Sequence, residues 1–137
     1  MPLVYVTRRM HFSAGHRLHA ESLDEETNRG IYGACNNPLG HGHNYDLEVT
    51  VAGEPDPVTG MVMDIKKLKD LIQKEVIDPM DHKFLNVEVP FLTRQVPTAE
   101  NIVVAIWRVL QDKLSGVTLY RLKLYETERN IVEYYGA

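Results

Sequence analysis

The chain predicts an α+β fold, a four-stranded antiparallel sheet carrying two helices on one face, with elements in the order ββααββ. Two observations carry this expectation. Apolar and polar residues alternate through 43–53 and again near the C-terminus, the pattern of a sheet with one covered face. Between those regions, 64–77 and 98–114 repeat their apolar residues at helical spacing. One sheet with both helices on the same side is the simplest arrangement that buries both stripes. At 137 residues and 44% hydrophobic content, the chain fits a single domain, 1–137, with enough apolar side chain for a packed core.

The elements follow in order. Residues 3–12 are rich in Val4, Tyr5, Val6, Thr7 and Phe12 and read as a strand that delivers His16 just past its end. Residues 20–34 are polar with two glycines and read as a surface excursion, the Glu25-Glu26 run being a solvated face. The second strand, 43–53, sends His43, Tyr45, Leu47, Val49 and Val51 to one face and Asn44, Asp46, Glu48 and Thr50 to the other. Residues 53–60 hold two glycines and two prolines and form a loop. Asp64 caps a helix to about Ile77, with Ile65, Leu68, Leu71, Ile72 and Val76 as its buried stripe, and Pro79 ends it. Residues 78–97 form an irregular connection long enough to carry function. Thr98 caps the second helix, which runs to about Leu114 and stops at Gly116. Strands at 117–127 and 131–135, joined by Glu128, Arg129 and Asn130, complete the fold as a hairpin.

Composition narrows the partners. A formal net charge of −4 argues against a general nucleic-acid binder, whose affinity rests on a basic footprint. The single cysteine excludes an intrachain disulfide and suits a reducing compartment. No stretch has the composition of a signal peptide or approaches the ~20 apolar residues of a membrane span, so a cytoplasmic location and no membrane partner are expected. Neither a Gly-x-Gly-x-x-Gly fingerprint nor a P-loop is present.

Four groups of residues could carry chemistry. His41 and His43 lie two apart in extended backbone, so both imidazoles face the same way and can reach one point. Of the six histidines, His16 in SAGHRLH is the best third ligand, and three ligands with an open position describe a catalytic zinc site. Gly40 and Gly42 leave room beside the imidazoles. Cys35 stands six residues before His41, across the turn-forming Asn36, Asn37 and Pro38. Three readings of it stay open: a thiolate base favoured by a nearby cation, a fourth ligand closing a structural site, or a small buried hydrophobe. Asp81 and His82 are adjacent in the irregular connection, where the acid could orient the ring as a base relay or simply cap a turn. Glu126, expected within the third strand on the side of Leu122 and Leu124, is a carboxylate that requires a partner, either an arginine or the two N–H donors of an aminopyrimidine edge.

Six segments, FSAGHRLH (12–19), CNNPLGHGHNY (35–45), DPVTGMVMD (56–64), DHKFLN (81–86), PTAEN (97–101) and YETERNIVEY (125–134), run nearly the length of the sequence. Together, and in this order, they resemble the 6-pyruvoyl tetrahydropterin synthase family. The resemblance implies the tunnelling fold, in which sheets of several subunits join into a barrel, and a homohexamer of two trimers with sites at subunit boundaries. It implies zinc held by His16, His41 and His43, Cys35 as general base, Asp81 and His82 as its relay, and Glu126 as the pterin anchor. Thr98 and Glu100 match a family segment near the pterin, although capping and first-turn charge account for them equally. Ala99 stands where the family commonly has a second threonine. The implied reaction converts 7,8-dihydroneopterin triphosphate to 6-pyruvoyl tetrahydropterin, a step of tetrahydrobiopterin biosynthesis, with loss of triphosphate. Arg8, Arg9, Arg17 and Lys83 are candidates for holding the phosphates.

Three rivals remain at this level. A 6-carboxytetrahydropterin synthase of deazaguanine (queuosine) biosynthesis shares the substrate and zinc site, but in that family the cysteine usually stands closer to the His-Gly-His. A noncatalytic structural zinc module would use Cys35 as a fourth ligand. A pterin-binding protein without turnover would bind the ligand and release no triphosphate.

Overall fold

The computed structural model describes residues 2–137. Its fold is α+β, with a five-stranded sheet in the order β3-β1-β2-β4-β5. The two long strands, β1 (Val4–His16) and β2 (His41–Gly53), pair antiparallel through all thirteen residues, from Val4 opposite Gly53 to His16 opposite His41. β4 (Thr118–Tyr125) joins the other side of β2, with a break in register between Thr50 and Val51, and β5 (Ile131–Tyr134) folds back on β4 as the expected hairpin.

The fifth strand corrects the expectation of four. β3 (Lys83–Phe84) pairs in parallel with Ala14 and Gly15 of β1. Two residues are too few to show a period-2 pattern, so composition could not reveal it. β1 is also longer than expected and contains His16 rather than preceding it. Phe12, Ala14 and His16 continue the buried alternation to the strand's last residue.

Residues 20–34 form a largely exposed excursion, as expected, but one that contains a helix. Asp24 accepts the Thr27 N–H at 2.7 Å and caps α1 (Glu25–Tyr32), so the Glu25-Glu26 pair occupies a helix first turn, where negative charge meets the positive end of the dipole. A 3₁₀ turn, Gly33–Asn36, follows. Fully buried Asn28 stitches the segment together by accepting the Ala20 N–H and donating to the Ala20, Leu23 and Asp24 carbonyls.

α2 (Ile65–Ile72) has the expected Asp64 cap, but Pro79 does not end the helix before it. The backbone passes through a π-turn, Gln73–Ile77, into one further turn, α3 (Asp78–Met80). Proline fits there because the first turn of a helix does not use its N–H. The irregular connection also holds the short α4 (Leu85–Glu88) and a 3₁₀ turn, Pro90–Leu92. Thr98 caps α5 (Ala99–Gln111), which ends three residues short of Leu114.

One cluster forms the core. Phe12, Tyr45, Leu47, Val49, Leu122 and Leu124 from the sheet meet Leu68 and Ile72 of α2, Val76 of the π-turn and Ile102, Ile106 and Leu110 of α5. The sheet's other face carries charge: Arg9 pairs with Asp46 and Glu48, and Arg121 with Glu48 and Glu133. No helix among the described residues is long and apolar enough to cross a membrane.

Candidate functional site

The sheet's covered face ends in three histidines. His16 and His41 are direct cross-strand partners, and His43, two residues along β2, points to the same side. Their ligating nitrogens all lie within 4.8 Å of one another, His16 Nε2 and His41 Nε2 being 3.0 Å apart. The rings stand nearly edge to face, with centroids 4.6, 5.1 and 4.9 Å apart. Three neutral imidazoles at this spacing suit a tetrahedral ion, whose ligand nitrogens lie about 3.3 Å apart at metal–nitrogen distances of ~2.0 Å. The cluster could therefore hold a metal ion and leave a fourth position open.

Neighbouring groups set the chemical state of the cluster. His16 Nδ1 lies 2.7 Å from the Pro97 carbonyl oxygen, to which it donates. The proton is thereby fixed on Nδ1, leaving Nε2 as the ligand atom. Burial pushes the His16 imidazole down to about 4, against the Pro97 hydrogen bond and with help from His41 and His43. Burial likewise lowers His43, opposed by Glu126, whose Oε1 is 4.0 Å from His43 Nε2. Tyr45 forms the floor, stacked on Phe12 with centroids 4.9 Å apart, and burial pushes its hydroxyl well above the usual phenol range. Neutral imidazoles are the form a metal requires.

A stability prediction follows for the metal-free protein. The unfolded protein takes up a proton on His16 near 6.5, whereas the folded protein does so only near 4. Stability from this residue is therefore complete above pH 6.5 and is lost as pH falls from 6.5 towards 4, by on the order of 3 kcal/mol. Denaturant midpoints measured across pH 4–7 on the stripped protein should fall with this dependence. His16→Gln should flatten it.

Gly40 makes the close approach possible. At φ 73 a side chain is disfavoured, and an added Cβ would sit 2.8 Å from Phe84 Cε1 and 3.1 Å from the His16 carbonyl oxygen. Gly40→Ala should lower stability by about 2 kcal/mol in denaturant unfolding, and should weaken metal binding because the displaced strand carries His16.

The other sequence-derived residues fall into two groups. Cys35 sits half-buried in the 3₁₀ turn, and its carbonyl accepts the Leu18 N–H at 2.9 Å, tying the turn to the segment after His16. Among the described residues it does not join the three histidines, and neither does Asp81 or His82. Asp81 and His82 do meet each other, Oδ2 and Nδ1 being 3.0 Å apart. Asp81 also accepts the Ser13 N–H at 2.9 Å, the main cause of its lowered pKa, and His82 is held at φ 61 with its side chain exposed.

Glu126, Thr98 and Glu100 border one cavity of about 470 Å³, together with Leu18 and Arg129. Glu126 is not within the strand, as its alternation with Leu124 suggested, but follows β4 in the turn. There Glu126 N and Thr127 N both donate to the Asn130 carbonyl. Leu18 and Arg129 were not anticipated; only the family segments around them gave a signal. Of the proposed phosphate-holding cations, Arg9 is committed to carboxylates on the opposite face.

Fold and cluster together define a sheet-borne three-histidine cluster able to hold a metal ion, with a carboxylate-lined cavity whose Glu126 reaches His43. A model of the 6-pyruvoyl tetrahydropterin synthase family matches residues 5–137. The chain belongs to this family. It is 50% identical over 131 residues to the human 6-pyruvoyl tetrahydrobiopterin synthase, covering 96% of this chain and 90% of that one. The solved structure of Caenorhabditis elegans 6-pyruvoyl tetrahydropterin synthase superposes with a TM-score of 0.95 at 40% identity, covering 100% of this chain and 98% of that one. A 6-carboxy-5,6,7,8-tetrahydropterin synthase from Rickettsia typhi is more distant, at 30% identity over 96% of this chain and 99% of its own.

Proposed function

We propose that the protein is a zinc-dependent lyase that converts 7,8-dihydroneopterin triphosphate to 6-pyruvoyl tetrahydropterin with elimination of triphosphate, working in the cytoplasm as a homohexamer of two trimers. The observation that carries this reading is the carboxylate of Glu126, which borders the cavity and stands 4.0 Å from metal-site His43. The 50% identity to the human enzyme supports the pyruvoyl product over the carboxy one.

Bound at His16, His41 and His43, zinc would supply Lewis acidity towards the hydroxyls on the substrate's three-carbon arm. Glu126 accepts two N–H groups of the aminopyrimidine edge and sets the heterocycle's orientation, with Thr98 and Glu100 at the cavity rim. The Cys35 thiolate removes a carbon-bound proton from that arm. Asp81 holds the His82 imidazole, which returns protons as the arm tautomerises. Its two carbinols become carbonyls; one electron pair goes to the ring, which gains two hydrogens, and the other to the carbon whose bond to triphosphate breaks and which becomes a methyl group, so no external oxidant or reductant enters. Cys35 and the Asp81–His82 pair lie outside the histidine cluster of a single subunit, and in the proposed hexamer each site would lie at a subunit boundary.

Triphosphate release by metal-stripped protein tests the reading. No release before zinc and full release after it are expected, and metal-independent release would contradict it. In the zinc-loaded protein, Glu126→Gln should lower kcat/KM by about 10- to 100-fold, the loss of one charge-assisted pair of hydrogen bonds. Steady-state kinetics would show this, with metal content unchanged.

A further inference from the structure

The pterin cavity suits one end of the proposed substrate and opposes the other. Two carboxylates, Glu100 and Glu126, face a single Arg129 there, and a polyanion would be repelled. A second cavity of about 540 Å³ has the reverse character, being bordered by Arg17, His19 and Arg94 with only Glu21 opposing them. We propose that this basic cavity holds the polyphosphate end of the substrate, an inference that rests on the lyase reading above.

The two cavities are separated by the three residues that follow metal ligand His16. Leu18 borders the pterin cavity, while Arg17 and His19 border the basic one. A molecule with its heterocycle in one cavity and its phosphates in the other would lie across this segment, which follows directly on His16.

Two asparagines hold the segment in place. Buried Asn36 accepts from Arg17 Nε through its backbone carbonyl at 2.9 Å, and its amide donates to the Leu18 carbonyl at 2.8 Å and to His19 Nδ1 at 3.1 Å. Accepting at Nδ1 leaves the His19 proton on Nε2, as a donor. The Asn86 side chain bonds both the N–H and the carbonyl of Arg17, at 2.8 and 2.7 Å.

The cations of this cavity differ from the paired ones elsewhere. Arg9, Arg29 and Arg121 each have a carboxylate within 4.0 Å, whereas among the described residues no such pair involves Arg17 or Arg94. Arg17 also borders a smaller hollow, but Arg29 there is matched by Glu25. The hollow over Gly15 and Gly42 offers Lys83 and His82 and no guanidinium. Planar guanidinium groups with free N–H donors are the groups best matched to phosphate oxygens.

Calorimetry with inorganic tripolyphosphate on the zinc-loaded protein tests the site directly. Arg94→Gln, an exposed position, should weaken binding about tenfold, the loss of one charge-assisted contact. Glu21→Gln should tighten it, and Lys67→Gln, which removes a charge elsewhere, should change it less than about twofold. The kcat/KM for dihydroneopterin triphosphate should fall in Arg94→Gln in parallel, while affinity for dihydroneopterin lacking phosphates stays constant. Tripolyphosphate affinity indifferent to both Arg94→Gln and Glu21→Gln would overturn the assignment. Arg94-dependent binding in a wild-type protein that never releases triphosphate would keep an anion site and overturn its assignment to this substrate, separating the two readings.

Discussion

Replacing Cys35 with alanine is expected to lower turnover by about 10²- to 10⁴-fold, the scale of a lost general base, while metal content and thermal unfolding stay as in the wild type. The expectation rests on where the residue lies. Cys35 is near enough in sequence and fold to be tied to Leu18, yet outside the trio of nitrogens that could bind an ion. A fourth ligand would behave differently, because losing a thiolate from a structural zinc site costs both metal affinity and folding energy. Metal analysis, a melting curve and a rate on the same preparation distinguish the two. Zinc lost together with the thiol would contradict the base role.

His41→Ala should have the next largest effect, lowering metal affinity by more than about 100-fold, since removing a direct ligand costs more than removing a supporting hydrogen bond. His41 is the better choice than His16, which is only 1% exposed and would leave a hole behind it. Chelator competition would measure the loss, and turnover should fall with metal occupancy. A variant that keeps wild-type zinc affinity would remove His41 from the ligand set.

The long periodic elements were legible in the sequence because their burial repeats. β2 shows its covered face from Tyr45 to Val51, and α5 shows its stripe through Ile102, Ile106 and Leu110. What escaped was short or locally capped. β3 has two residues, and α1 owes its start to one Asp24 side chain in a polar stretch where no apolar stripe announces a helix. Pro79 misled because a proline that breaks one helix can begin the next turn.

The site divides the same way. The His41-His43 spacing already implied convergence on one face, and β1–β2 pairing brought His16 opposite His41. The Pro97 carbonyl on His16 Nδ1 was not readable, since it joins residues 81 positions apart through a backbone atom. Nor was the division between an acidic and a basic cavity, which depends on how residues 17–19 leave the strand.

Mass identification of the pterin formed when zinc-loaded protein meets 7,8-dihydroneopterin triphosphate, with triphosphate followed in parallel, tests the central claim most directly. A 6-pyruvoyl tetrahydropterin product formed in step with triphosphate is the predicted result. A 6-carboxy product with acetaldehyde, or bound zinc and pterin with no triphosphate released, would contradict it.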